Sequence, residues 1–143
     1  MAFLYYLIFL KIKEPKSETD KYKFSGIDET VSQSIYTKTV TAIREKELYL
    51  DPDISLTILS KKVSLQVNIL SQVINQNSHS NFRDFINTFR IEKATKEIRD
   101  KAQKGFTIAS VAYDCGFNSL SAFNRAFKKA TGQTPSEYIQ TCK

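Results

Sequence analysis

The sequence predicts an all-α fold of about seven helices, arranged as two small helical units joined by one long linker helix. Three observations predict it. Only four glycines and three prolines interrupt 143 residues, so helix breakers are scarce. Apolar residues recur at spacings of three and four, with no regular alternation that would mark a strand. One pattern, a short helix, a turn and a second helix, occurs twice, at 55–76 and 107–130.

Composition narrows the function classes. A chain of this length holds one modest core. Lys and Arg number 21 against 15 acids, a net charge of +6, which permits an anionic partner such as nucleic acid or an acidic membrane surface. The cysteines, Cys115 and Cys142, form no CxxC pair, and the single histidine, His79, has no cysteine near it in sequence. No zinc site, disulfide framework or cofactor is expected. Cys115 falls on the apolar side of its helix and is expected to pack as a small hydrophobe.

The first stretch, MAFLYYLIFL, is uninterruptedly apolar or aromatic and is followed by KIKEPK. A membrane span needs roughly 20 apolar residues, and this run is about half of one. It has no basic segment before the apolar run and no small-residue cleavage site, so it does not read as a secretory signal. Its tyrosines and the following Lys11, Lys13 and Lys16 suit the cytoplasmic edge of a span. Residues 1–12 are therefore expected to end a transmembrane helix. Packing on the domain, or a greasy tail, are the other readings. Residues 13–27 are charged and breaker-rich and read as a linker to a domain at 28–143.

Asp28 or Thr30 can cap the first helix, which runs to about Lys46 with Val31, Ile35 and Ile43 on one face. LDPD at 50–53 ends it in a turn. Ser55 is the N-cap of SLTILSKKV, whose Leu56, Leu59 and Val63 are spaced for burial. Ser64 interrupts. QVNILSQVIN follows, with Ile69, Leu70, Val73 and Ile74 inward and Gln66, Asn68, Ser71, Gln72 and Asn75 outward. That outward face is amides and a hydroxyl, where surface helices usually carry the better helix formers Lys and Glu. Such side chains suit base edges in a major groove. They also suit an ordinary polar surface, and this segment alone does not choose between the two.

The long helix spans about 81–101, within a linker region set at 81–103. Phe82, Phe85, Ile86, Phe89, Ala94 and Ile98 form its apolar stripe, and Arg83, Arg90, Lys93, Lys96 and Arg99 a basic skin. Lys104-Gly105 ends it, and the earlier pattern returns. Thr107 caps IASVAYDC, with Ile108, Val111 and Ala112 inward. Gly116 stops that helix, since glycine takes positive φ without steric cost. Ser119 caps LSAFNRAFKKA, with Phe123, Ala126 and Phe127 inward and Ser121, Asn124, Arg125, Lys128 and Lys129 outward. The capped N-terminus can seat a phosphate, and the Arg125 fork can read a guanine or hold a phosphate. Gly132 ends this helix. Thr134-Pro135-Ser136-Glu137 is a capping box with proline at the first helical position, and Tyr138 packs back. The glycines and caps thus fix a short helix at a steep angle with its basic face exposed. The two copies are helix-turn-helix units, each set in a larger unit, 28–80 and 105–143.

The segments SLTILSKKVSLQVNILSQVIN, FRDFINTFRIEKA and IASVAYDCGFNSLSAFNRAFKKATGQTPSEY, covering Leu50 to Tyr138, together resemble the DNA-binding domain of AraC-type transcriptional regulators. The resemblance implies two recognition helices, with base-reading at Val67, Asn68, Ser71 and Gln72 in the first and at Leu120, Ser121, Asn124 and Arg125 in the second. Asn75, Ser119, Lys128 and Lys129 complete the expected DNA surface. Some positions depart from the family's pattern. Leu120 and Ala122 stand where polar or aromatic residues are common, Ser64 replaces the usual turn glycine, and Ile139 replaces a common arginine. These departures bear on which DNA sequence is read, not on the mode of binding.

The expected function is sequence-specific binding of double-stranded DNA as a transcriptional regulator that works with the transcription machinery. The expected place is the cytoplasm, tethered to the inner membrane, with the input module outside this chain. The rival reading is a helical protein-interaction module of a membrane-anchored signalling protein. An enzyme is not expected, because no paired carboxylates beside a histidine, no nucleophile motif and no phosphate-binding loop occur.

Overall fold

The computed structural model describes residues 26–143, and the apolar run 1–12 and most of the 13–27 linker lie outside them. Among the described residues there are seven α-helices and one short 3₁₀ turn, with no strand. The first helix, α1 (Glu29–Glu45), starts at Asp28, whose carboxylate accepts from the Thr30 amide and hydroxyl at 3.0 and 2.9 Å. These bonds hold the Asp28 carboxyl below its usual pKa.

The buried face of α1 differs from the one expected. Val31 is 51% exposed and Ile35 is half-buried. The inward face is instead Ser32, Thr39 and Ile43, flanked by Tyr36 and Val40. Hydrogen bonding explains how polar residues take it. Ser32 Oγ donates to Gln76 Oε1 at 3.0 Å and accepts from Asn77 Nδ2 at 2.9 Å, while Thr39 Oγ1 donates to the Ile35 carbonyl at 2.9 Å. A buried hydroxyl satisfied in this way carries no large penalty. The helix also ends before LDPD. Glu47 turns into the left-handed region at φ +48°, and a 3₁₀ turn (Leu48–Leu50) leads into the loop at 51–53.

The first helix-turn-helix unit is α2 (Leu56–Lys62) and α3 (Val67–Ser78). Ser55 caps α2 as expected, its Oγ accepting from the Ile58 amide at 3.2 Å. At the turn, the Leu65 amide donates to the Ser60 carbonyl at 2.9 Å and the Ser64 amide to the Lys61 carbonyl at 3.3 Å. The second unit, α5 (Ile108–Asp114) and α6 (Leu120–Thr131), repeats this pair with Phe117 to Ala112 at 3.1 Å and Gly116 to Tyr113 at 3.0 Å. Both are Schellman stops, which require a left-handed residue. Gly116 supplies it at φ +89°, and Ser64 adopts it too at φ +56°. The turn geometry is thus kept without its glycine. A side chain held in that region costs about 1 kcal/mol. Ser64→Gly is therefore expected to raise stability by roughly 0.5–1 kcal/mol, read as a higher urea midpoint at unchanged slope.

Helix α4 (Phe82–Lys101) joins the units and starts at Asn81, whose Oδ1 accepts from the Asp84 amide at 2.9 Å. The last helix, α7 (Pro135–Cys142), has the expected capping box. Thr134 Oγ1 accepts from the Glu137 amide at 3.2 Å, and Glu137 Oε2 accepts from the Thr134 amide at 2.8 Å.

Two separate cores flank α4. Ile43, Leu59, Leu70, Ile74, Phe85, Ile86 and Phe89 form the first. Ile91, Ala94, Ile98, Val111, Ala112, Cys115, Phe117, Phe123, Ala126 and Phe127 form the second. Two α4 residues differ from expectation. Ile91 is buried, and Arg90, expected on the basic skin, is only 9% exposed. Its Nε donates to the Tyr49 carbonyl at 2.7 Å and its Nη2 to the Asp51 carbonyl at 2.8 Å. Cys115 packs as expected. Burial pushes its thiol pKa up to about 12, so it stays neutral and unreactive near neutral pH.

Candidate nucleic-acid interface

The two units match in register as well as in kind. The first helices have seven residues each and side-chain caps at Ser55 and Thr107. The second helices have twelve each and end at left-handed residues, His79 at φ +53° and Gly132 at φ +77°. The turn of the second unit is one residue longer. That extra residue lets Ser119 cap α6, its Oγ accepting from the Ala122 amide at 3.2 Å, whereas Gln66 gives α3 no side-chain cap.

From the start of the second helices onward, each position expected to read DNA on α3 has a counterpart on α6. Val67 pairs with Leu120, Asn68 with Ser121, Ser71 with Asn124, Gln72 with Arg125, and Asn75 with Lys128. Within each helix these sit at i, i+1, i+4, i+5 and i+8, so they line one face. The sequence therefore places one candidate reading face twice, first in amides and then with two cations.

The structure sorts the expected residues by exposure. Val67, Asn68 and Asn75 are exposed on α3, and Ser119, Leu120, Ser121, Asn124, Arg125, Lys128 and Lys129 are exposed at α6. Ser71 and Gln72, expected outward, are half-buried. The Gln72 Nε2 is buried with no hydrogen-bond partner among the described residues. A buried unpaired amide costs on the order of 1–3 kcal/mol.

Lys129 is exposed but already engaged. Its ammonium lies 2.8 Å from Asp84 Oδ2, at the start of α4. Its register counterpart, Gln76, is likewise tied inward, to Ser32. Asn124, Arg125, Lys128 and Lys129 line an open depression that also takes in Thr134. From the sequence Thr134 is only a helix cap. Its place beside the cations comes from the tight Gly132–Gln133 turn, where Thr131 Oγ1 accepts from the Gln133 amide at 3.2 Å and donates to the Gln133 carbonyl at 3.0 Å. Among the described residues no group of histidines, cysteines and carboxylates could hold a metal ion. No helix among them is long and apolar enough to cross a membrane.

Two helix-turn-helix units hung on a single linker helix define a class of small helical domain, and comparison with known proteins gives its family. A sequence model of the helix-turn-helix domain family matches residues 59–141. The chain belongs to that helix-turn-helix domain family. An HTH-type transcriptional regulator from Staphylococcus aureus is 36% identical over 92 residues, which is 64% of this chain and 12% of that protein. The chain thus spans about an eighth of the length of that relative. The C-terminal domain of AraT, a response regulator from Geobacillus stearothermophilus, matches with a TM-score of 0.64 at 24% identity, covering 75% of this chain and 84% of that one. A transcriptional regulator with an AraC-type DNA-binding domain from Chromobacterium violaceum matches with a TM-score of 0.64 at 18% identity, covering 79% and 96%. These two likenesses bear on the fold.

Proposed function

We propose that this chain binds double-stranded DNA sequence-specifically, with α3 and α6 each entering a major groove, as the output part of a longer transcriptional regulator. One observation carries the reading: the same polar face, fully exposed on α6 and partly so on α3, occurs in register on two equivalent helices, each held out by a Schellman stop and a short turn. In such units the first residues of the second helix meet base edges. Asn68, Gln72, Ser121 and Asn124 have the donors and acceptors for that. The exposed Val67 and Leu120 suit the methyl group of thymine. Arg125 forks toward a guanine or a phosphate. Ser119 and Lys128 hold the backbone, while Lys129 is the weakest candidate because Asp84 occupies it. Gln72 acts by turning its unpaired amide out to a base.

The domain division at 28–80, 81–103 and 105–143 is part of this proposal, and the two separate cores support it. So are contact with the transcription machinery and a membrane anchor in residues 1–12. The protein-interaction alternative calls for a contiguous exposed apolar patch. The large apolar residues exposed among those described, Val31, Val67, Tyr113 and Leu120, are scattered along the sequence over four helices.

The test uses a duplex selected by the protein from a random pool. Arg125→Ala is expected to cost about 1–3 kcal/mol on the selected site and less on random DNA. Lys128→Ala should weaken both about equally. Equal losses for Arg125→Ala on the two DNAs would reduce it to a phosphate contact.

A further inference from the structure

The two cores meet α4 in succession without merging. Phe85, Ile86 and Phe89 belong to the first, and Ile91, Ala94 and Ile98 to the second. Arg90 is the residue between them. It is buried, and its guanidinium reaches in two directions. It bonds the Tyr49 and Asp51 carbonyls of the loop that precedes α2, and its Cζ lies 5.4 Å from the centre of the Phe117 ring, in the turn between α5 and α6. The same loop touches that turn directly. A Cβ on Gly116 would lie 2.6 Å from the Tyr49 oxygen and 2.9 Å from the Leu50 oxygen. Backbone of the first unit is therefore packed against backbone of the second, with one carbonyl, that of Tyr49, both accepting from Arg90 and facing Gly116.

One further link joins the second unit to α4. The Lys129–Asp84 ion pair is largely solvent-exposed on its lysine side, and such pairs contribute little. Only a guanidinium can bond two carbonyls through its fork while its flat face lies over an aromatic ring, and a lysine cannot do both.

We propose that Arg90 is a positioning residue that locks the two helix-turn-helix units into one rigid body through the seam Tyr49–Asp51, Arg90 and Gly116–Phe117. The angle and spacing between α3 and α6 are then set by this seam as well as by the length of α4. The lock itself stands without DNA. Its consequence for spacing rests on the reading of α3 and α6 as groove-reading helices.

Two measurements on the full chain test it separately. In calorimetry without DNA, the wild type should melt in one transition, with equal van't Hoff and calorimetric enthalpies. Arg90→Gln should keep its helical circular dichroism at low temperature but melt in two transitions. A single transition for Arg90→Gln, shifted or not, would overturn the lock. If that variant loses its helical signal, Gly116→Ala disturbs the same seam from the other side and is judged by the same two outcomes. The second measurement uses a duplex selected by the wild type, with about half a helical turn inserted between the two contacted blocks. The wild type should lose on the order of 100-fold in affinity, because its second contact can no longer be made alongside the first. Arg90→Gln should bind the original duplex more weakly yet lose less than about 5-fold on the insertion. Equal insertion penalties in the two proteins would overturn the claim that the seam sets the spacing of α3 and α6. A wild type that selects no duplex would count against the DNA reading alone, and the calorimetry would still decide the lock.

Discussion

Phe123→Ala is expected to destabilise the domain by about 3–5 kcal/mol. Phe123 is fully buried at the centre of an aromatic column. Its ring lies edge-on to Phe117 with centroids 5.2 Å apart, and 5.5 Å from Phe127, which in turn meets Tyr138 edge-on at 5.4 Å. That column ties α6 to the turn before it and to the helix after it. Truncation removes the apolar area and leaves a cavity. The neighbours cannot close it easily, because Phe117 also underlies Arg90 and Phe127 is itself fully buried. Urea unfolding followed by circular dichroism reads the loss. An unchanged midpoint would mean that α6 is not anchored through Phe123.

Affinity for duplex DNA is expected to fall about 10³-fold between 50 and 200 mM salt if roughly six phosphates are neutralised, within an expected range of about five to eight. The supply of cations makes this plausible. Arg125 and Lys128 are exposed on α6, the chain carries a net +6, and two helix N-termini, at Val67 and Leu120, can seat phosphates beside them. The plot of log affinity against log salt should be linear. A flat plot would remove the electrostatic part of the account and favour an apolar partner surface.

The sequence announced what local chemistry controls. Ser55, Thr107, Ser119 and Thr134 could be named as caps because a cap is made within three residues of itself. The stop at Gly116 and the stripe of Phe123 and Phe127 were legible for the same reason, as a backbone requirement and a helical period. What was not legible depends on partners far along the chain. Ser32 can occupy a buried face only because Gln76 and Asn77, 44 and 45 residues away, complete its hydrogen bonds. Arg90 reads as surface charge until Tyr49 and Asp51 are brought to it, and Lys129 as a free cation until Asp84 is. Ser64 is intermediate. Its place in the repeat marks a turn, but nothing in a serine says that it will take a glycine's conformation.

One chain is expected to engage two successive major grooves. Helix α4 has 20 residues, about 30 Å at 1.5 Å per residue, and successive grooves on one side of B-DNA lie about 34 Å apart. A footprint of the chain on its selected duplex, with stoichiometry fixed by native mass measurement, tests this most directly. Two protected blocks about 10 base pairs apart in a one-to-one complex are expected. A single block of about 5 base pairs, or two blocks seen only with two chains bound, would contradict it.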